Sequence, residues 1–164
     1  MYQVDDLDRV VELDQIPKAT LGAPMPIVLA TDYGVAIAYY LYAGKSIGQD
    51  SQYEPIAIVV FRHCYAHMFG PPNDETFNGH PLYSRGLKPY GVYEVRNSSW
   101  LRCLERMNAI HPNHDPARFM DEKRHFVFAF HDSTFECIAE GFDAEIQQGP
   151  WSSIISRMQE LIEL

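Results

Sequence analysis

The alternation of hydrophobic and polar positions is clearest in residues 125–140, HFVFAFHDSTFECIAE. Apolar residues occupy every second position on both sides of a polar turn, which is the pattern of a β-hairpin with one buried face. With the turn centred between Asp132 and Ser133, the apolar residues share one face in three cross-strand pairs: Phe130 with Phe135, Phe128 with Cys137, and Phe126 with Ala139. We therefore predict a hairpin with its phenylalanines facing the core.

Three other segments have strand-like patterns. Residues 27–42 form two apolar runs around Asp32-Tyr33-Gly34, which predicts a hairpin buried on both faces, with Gly34 at a positive φ. Residues 56–69 predict one strand whose second half, mixed in polarity, leaves the core for a rim. Residues 90–95 predict a short strand.

Two segments have helical spacing. Asn97-Ser98-Ser99 predicts the start of a helix over about 98–110, whose apolar stripe comprises Trp100, Leu104, Met107 and Ile110. Gly149-Pro150 introduces a second amphipathic helix over about 150–163. Strands that cluster with few helices between them favour the α+β class. We expect a single domain over 1–164, with an antiparallel sheet built from hairpins and the two helices packed on it.

The connection over residues 70–89 is unusually long for a compact domain. It contains four Pro and three Gly, and such segments are often functional or mobile, so we interpret it as a loop or lid. Polar groups interleave with aromatic rings there, which suits a small ligand. The candidate ligand-binding residues are Asn73, Asp74, Glu75, Phe77, Asn78 and Tyr83.

The charge of the chain narrows the class of partner. Its 22 acidic residues outnumber 13 Lys and Arg, for a formal net charge of −9. Such a surface repels phosphate backbones and anionic membranes, so we expect no nucleic-acid or membrane partner. A basic protein partner would be attracted.

Cysteine usage and the N-terminal sequence predict a cytoplasmic location. The three cysteines form no CxxC pair, and an odd count without a framework is typical of a reducing compartment. The N-terminal residues are acidic and lack the apolar run of a signal peptide. In the predicted hairpin Cys137 faces inward, whereas Cys64 lies near a rim.

No cofactor or metal is expected from the motifs. The chain lacks the phosphate-binding glycine loops and the metal signatures of common families. His63 and His67 lie four residues apart, but on a strand that spacing is about 13 Å, too far to share an ion. His111 and His114 follow a helix and give only a weak metal signal.

Acid–base chemistry has one candidate group of residues. The predicted second face of the 125–140 hairpin places His131 diagonal to Glu136, with Asp132 at the turn. A carboxylate beside an imidazole raises its pKa and fixes its tautomer. His80 of the long loop would join this catalytic set if the loop folds back. The alternative interpretation is a solvated face with ordinary cross-strand ion pairs.

Three function classes remain after these exclusions. The first is a binding module that uses the 70–89 loop and one sheet face for a small molecule or a basic protein. The second is a cofactor-independent hydrolase or isomerase that uses the His and carboxylate groups. The third is a structural subunit that forms a homodimer. We rank binding first.

Overall fold

The computed structural model describes residues 2–42 and 52–162 and has an α+β architecture with two antiparallel sheets. The strands are β1 Arg9–Glu12, β2 Ile27–Ala30, β3 Gly34–Tyr40, β4 Pro55–Arg62, β5 Ala66–Gly70, β6 Val92–Arg96, β7 Arg124–Ala129, β8 Thr134–Ala139 and β9 Asp143–Gln148. The helices are α1 Ser99–Asn108, α2 Pro116–Glu122 and α3 Trp151–Ile162, with short 3-10 turns at Phe77–Gly79 and Tyr83–Arg85. The predicted fold class is confirmed, and the strands divide between two sheets. None of the helices in the described ranges is long and apolar enough to cross a bilayer.

The two sheets enclose an aromatic core. The five-stranded sheet has the order β1-β6-β7-β8-β5 and the four-stranded sheet has the order β2-β3-β4-β9. Phe61 of β4 lies at the centre, with ring centroids 5.3 Å from Phe126 and 5.8 Å from Phe135. Burying a side chain of this size contributes roughly 2–3 kcal/mol, so the phenylalanines hold the two sheets together.

The first predicted hairpin is confirmed as β2 and β3, although Gly34 does not take a positive φ. The Thr31 hydroxyl accepts hydrogen bonds from the Tyr33 and Gly34 amides, each at 3.2 Å, and closes the turn without a left-handed residue. Space is tight at this position instead, because a Cβ at position 34 would lie 3.3 Å from the Phe61 carbonyl oxygen. Strand β3 is buried on both faces as predicted, whereas β2 is an edge strand and only partly buried.

The single strand predicted over residues 56–69 is wrong. The chain breaks at His63, which has a φ of 50°, and the two halves become β4 and β5 in different sheets. The His63 amide donates to the Tyr33 carbonyl at 3.0 Å, and the Tyr65 amide donates to the Ile138 carbonyl at 2.7 Å. These bonds attach the connection to both sheets, so the change from apolar to mixed sequence marks a crossover.

Helix α1 begins as predicted, but its buried face differs. The Ser98 side chain accepts a hydrogen bond from the Leu101 amide at 3.1 Å. Trp100 and Leu101 are buried, whereas Met107 is 68% exposed and Ile110, beyond the end of the helix, is 93% exposed. The predicted stripe is therefore wrong in its second half, because the helix contacts the sheet only through its first turns.

The other two helices flank the sheets. Helix α3 packs on the four-stranded sheet through Ile154, Met158 and Ile162, which confirms that the second predicted helix is amphipathic and packs on a sheet. Helix α2 has no counterpart in the sequence-based prediction. It begins after Asp115, whose side chain accepts from the Arg118 amide at 3.1 Å, with Pro116 at its first position.

The hairpin of β7 and β8 has the predicted faces and a different register. Phe128 pairs with Phe135, and Phe126 pairs with Cys137. The turn is one residue earlier than predicted, because the Phe130 amide donates to the Ser133 carbonyl at 2.9 Å around a two-residue turn. All cross-strand pairs therefore move by two positions. A shift by two leaves each side chain on its predicted face.

Candidate functional site

The face of the β7–β8 hairpin that carries Glu136 is buried. The side chains of His125 and Glu136 are 0% and 7% exposed. Apolar residues of the 70–89 segment cover part of this face, and the first turn of α1 covers the rest; the main contacts are Phe77, Leu82, Leu87, Trp100 and Leu101. A solvated face with ordinary ion pairs, the alternative interpretation, is therefore wrong.

The carboxylate of Glu136 is the centre of a buried polar network. Its Oε2 accepts a hydrogen bond from the Tyr2 hydroxyl at 2.6 Å and lies 2.9 Å from the His125 Nε2. Its Oε1 lies 3.1 Å from the His80 Nε2. Three donors from three separate parts of the chain therefore surround one carboxylate.

The tautomers of the two histidines follow from their other hydrogen bonds. The Leu82 amide donates to the His80 Nδ1 at 3.1 Å, so the His80 proton is on Nε2 and points at Glu136. The Ser98 Oγ accepts from the Leu101 amide and lies 2.8 Å from the His125 Nδ1. An ionised carboxylate can only accept, so the Nε2 of each ring carries a proton and donates to Glu136.

This network holds Glu136 ionised. Burial alone raises the pKa of a carboxyl group, but here the hydrogen bonds from His125 and His80 outweigh burial and lower the pKa of Glu136 to about 2. Burial and the adjacent charge of Glu136 raise the pKa of Tyr2 well above its usual range. At neutral pH Glu136 is therefore ionised and the Tyr2 hydroxyl keeps its proton.

The predicted catalytic residues lie in two different places. Glu136 and His80 belong to the buried network, whereas His131 and Asp132 lie at the exposed hairpin turn. The predicted diagonal contact between His131 and Glu136 is wrong, because the register differs by two positions. The same shift places His125 opposite Ile138 and brings it to Glu136 instead.

At the turn, His131 has two acidic neighbours. Its Nδ1 lies 2.8 Å from the Asp132 carboxylate and its Nε2 lies 3.8 Å from Asp74. The hydrogen bond to Asp132, followed by the charge of Asp74, raises the pKa of His131. The Tyr90 hydroxyl donates to Asp74. The cluster is open to solvent, since the side chain of Asp132 is 79% exposed.

The predicted ligand-binding residues have different environments and do not form one cavity lining. Phe77 is buried, and the Asn73 carboxamide accepts from the Thr76 amide and hydroxyl at 3.1 and 2.6 Å. The exposed members of the set are Glu75, Asn78 and Tyr83, and Asp74 is partly buried. They are spread along the segment, whereas four cavities of about 60 to 680 Å³ are lined by other parts of the chain.

One of these cavities lies at one end of the four-stranded sheet, and we call it the rim groove. Its volume is about 680 Å³, and it lies between the β2–β3 turn, the end of β4 and the last turn of α3. Its floor is apolar and includes Val60, Leu161 and Ile162. Its polar and aromatic rim residues include Asp32, Tyr33, Arg62 and His63.

The charged side chains around the rim groove differ in whether they have an ion-pair partner. Arg62 forms an ion pair with Asp143 at 3.1 Å, and the His63 Nδ1 lies 2.9 Å from Glu140. Among residues 2–42 and 52–162, Asp32 has no ion-pair partner. Within the described part of the chain, the charge left unneutralised at the groove is therefore negative.

Comparison with protein-family models, curated proteins and solved structures gives no match. The geometry of the chain is therefore the basis for any functional inference. Within the described ranges, no three His, Cys, Asp or Glu side chains are grouped so that they could hold a metal ion.

Sequence reasoning misses the rim groove. The pattern of the chain identifies Asp32 and Tyr33 only as turn residues, and His63 only as a strand residue. The available signal is the abrupt change from apolar to polar residues at Arg62 and His63. This change follows a fully apolar run and marks the rim correctly. The pattern does not reveal that the β2–β3 turn and the end of α3 meet there, because both contacts are distant in sequence.

Proposed function

We propose that this protein is a binding module for small organic cations that carry an apolar body, and that the rim groove is the binding site. The observation that carries the proposal is the combination of a 680 Å³ groove, an apolar floor and one carboxylate without an ion partner among the described residues. The binding class agrees with the ranking from sequence. The location differs, because the 70–89 segment is fixed on the sheet by buried residues.

The size and lining of the groove support a small-molecule ligand. Ligand sites in proteins usually have volumes of about 300–1,000 Å³ and combine an apolar lining with a few polar groups. Leu161 and Ile162 supply apolar surface from α3, and Val60 supplies it from β4. A hydrocarbon or aromatic body would remove this surface from water at roughly 25 cal/mol per Å².

The charge of the groove supports a cationic head group. Asp143 already neutralises Arg62 at the rim, Glu140 lies beside His63, and the net charge of the whole chain is −9. An anion would therefore meet a negative field as it approaches. Tyr33 is 80% exposed at the mouth of the groove, where its ring face is available to a cation.

The test compares three probes that share one apolar body and differ in charge: 2-phenylethylamine, 2-phenylethanol and 3-phenylpropionate. Binding is followed by amide chemical shifts in a two-dimensional NMR titration. We expect the amine to bind most tightly, with shifts at Tyr33, Gly34 and Arg62, and to lose affinity as salt is added. Equal or tighter binding of the carboxylate would contradict the proposal.

A charge-matched pair of variants locates the effect. Asp32→Asn removes the carboxylate at the groove, and we expect it to weaken amine binding about fivefold, which corresponds to roughly 1 kcal/mol for an exposed charge contact. The control is Asp6→Asn, an exposed carboxylate beside Arg85 and outside the groove lining. If both variants bind the amine equally well, Asp32 is not part of the site.

A further inference from the structure

We propose that Cys64 and Cys137 form a peroxide-sensitive thiol pair, in which Cys64 reacts first and Cys137 closes a disulfide. The proposal is independent of the rim groove. It starts from two thiols that lie 73 positions apart in the sequence and that the fold brings to the same aromatic core cluster.

The two cysteines come together where the chain crosses between the sheets. Cys64 lies in the connection from β4 to β5, and Cys137 lies in the middle of β8, the strand that pairs with β5. Cys64 packs against the core cluster that contains Cys137, and the next residue, Tyr65, donates its amide to the carbonyl of Ile138, the neighbour of Cys137, at 2.7 Å. The Cys64 thiol also contacts the Ala66 carbonyl, with an S···O distance of 3.4 Å.

The two thiols differ in exposure in the way that a reactive and a resolving cysteine require. Cys64 is partly exposed, whereas Cys137 is fully buried. The neighbouring Cys137 thiol lowers the pKa of Cys64, and burial followed by the neighbouring Cys64 thiol raises the pKa of Cys137. The thiolate is the reactive form, so a peroxide that reaches the connection reacts at Cys64.

The chemistry balances with a hydroperoxide as the only oxidant. The Cys64 thiolate attacks one peroxide oxygen, the O–O bond breaks, and the products are a sulfenic acid and, after uptake of one proton, water. The Cys137 sulfur then attacks the Cys64 sulfur. The S–S bond forms, the S–O bond breaks, and the hydroxyl leaves with the Cys137 proton as a second water. The two thiols lose two electrons and the peroxide gains them.

The product would fix the crossover between the sheets. Strand β4 belongs to the four-stranded sheet and β8 to the five-stranded sheet, so the bond would join the connection that follows β4 to a strand of the five-stranded sheet. His63, the residue held at a φ of 50°, immediately precedes Cys64. Oxidation would therefore restrict the connection that carries this residue.

The experiment treats the folded full chain with hydrogen peroxide and counts thiols after denaturation. We expect the count to fall from the 3 cysteines of the sequence to 1, the mass to fall by about 2 Da, and digestion to yield one linked peptide pair containing Cys64 and Cys137. Dithiothreitol should restore all three thiols. A folded protein in which Cys64 gains oxygen without any disulfide would overturn the proposal.

Three single variants complete the test. Cys64→Ala should abolish the loss of thiols, and Cys137→Ala should stop the reaction at a sulfenic acid on Cys64 that dimedone traps. Cys103→Ser, at the partly buried cysteine of α1, should form the disulfide as the wild type does. If Cys103 is oxidised as fast as Cys64, the pair has no special reactivity. Circular dichroism checks each fold, and if Cys137→Ala does not fold, the wild-type peptide map decides.

Discussion

Replacing Glu136 by Gln tests whether the buried network stabilises the fold through an ionised carboxylate. The substitution keeps the size of the side chain and removes its charge. The amide has one oxygen, whereas three donors from Tyr2, His80 and His125 converge on the carboxylate. At least one N–H would then face another donor in a buried site, and leaving such groups unpaired costs about 1–3 kcal/mol each.

The pKa of Glu136 gives an independent value for the loss of stability. The pKa of Glu136 is about 2 in the folded protein, against an ordinary value of 4.5. At about 1.4 kcal/mol per unit, this difference corresponds to about 3 kcal/mol of stability from the ionised group. Because the folded pKa is the lower one, that stability is fully present above about pH 4.5 and is lost as the pH falls towards 2. The neutral Gln side chain imitates the protonated acid at every pH.

The assay is urea unfolding of the wild type and of Glu136→Gln at pH 7 and at pH 3. We expect the variant to be less stable than the wild type by about 3 kcal/mol at pH 7 and by about 1 kcal/mol at pH 3. The difference shrinks because, between the folded pKa of about 2 and the ordinary value of 4.5, the free energy of unfolding of the wild type changes by about 1.4 kcal/mol per pH unit. The matched control is Glu140→Gln, at a half-exposed carboxylate just after the same hairpin, which should cost less than about 1 kcal/mol. A difference between wild type and Glu136→Gln that is the same at both pH values would refute the reasoning, as would a variant more stable than the wild type at pH 7.

Two further substitutions test the partners of this network. Ser98→Ala should lower the free energy of unfolding by about 2 kcal/mol, because Ser98 caps α1 and also lies within hydrogen-bond distance of the His125 ring. Ser99→Ala is the control and should change stability little, since the buried Ser99 hydroxyl has no hydrogen-bond partner among the described residues. Equal effects of the two substitutions would contradict this role of Ser98. Tyr2→Phe should lower the free energy of unfolding by about 1–2 kcal/mol in the same urea assay, because it removes a donor to Glu136 and keeps the stacking on Trp100, with ring centroids 5.5 Å apart. The control, Tyr33→Phe at an exposed ring, should leave stability almost unchanged. If Tyr2→Phe also leaves stability unchanged, the Tyr2 donor is not needed.

The faces of the β7–β8 hairpin could be predicted from sequence, but its register could not. Hydrophobic alternation distinguishes only odd from even shifts, so a pairing that is displaced by two positions satisfies it equally well. The turn decides between such registers, and both Asp132-Ser133 and His131-Asp132 are acceptable turn residues. The preference comes from tertiary contacts of the turn, such as the Asp74 amide donating to the His131 carbonyl at 2.9 Å.

Burial of the second face of this hairpin does have a signal in the sequence. Val127, Ala129 and Ile138 are apolar and share that face with His125 and Glu136. A strand that is apolar on both faces is normally covered on both sides. The cover itself is harder to predict, because residues 70–89 are rich in Pro and Gly and have no periodicity. Their docking depends on isolated apolar side chains, above all Phe77 and Leu82.

The buried network explains why an irregular segment takes one position. Apolar contacts are not directional, so Phe77 and Leu82 alone would allow the 70–89 segment to slide on the sheet. The bond from His80 to Glu136 is directional, and a displaced segment would leave a buried anion with one donor fewer, which costs several kcal/mol. The bond from Tyr2 to Glu136 fixes the first residues of the chain in the same way. We therefore expect the histidines and the carboxylate of this face to act in positioning distant segments, and we expect ligand chemistry at the groove, where a charge is still open to solvent.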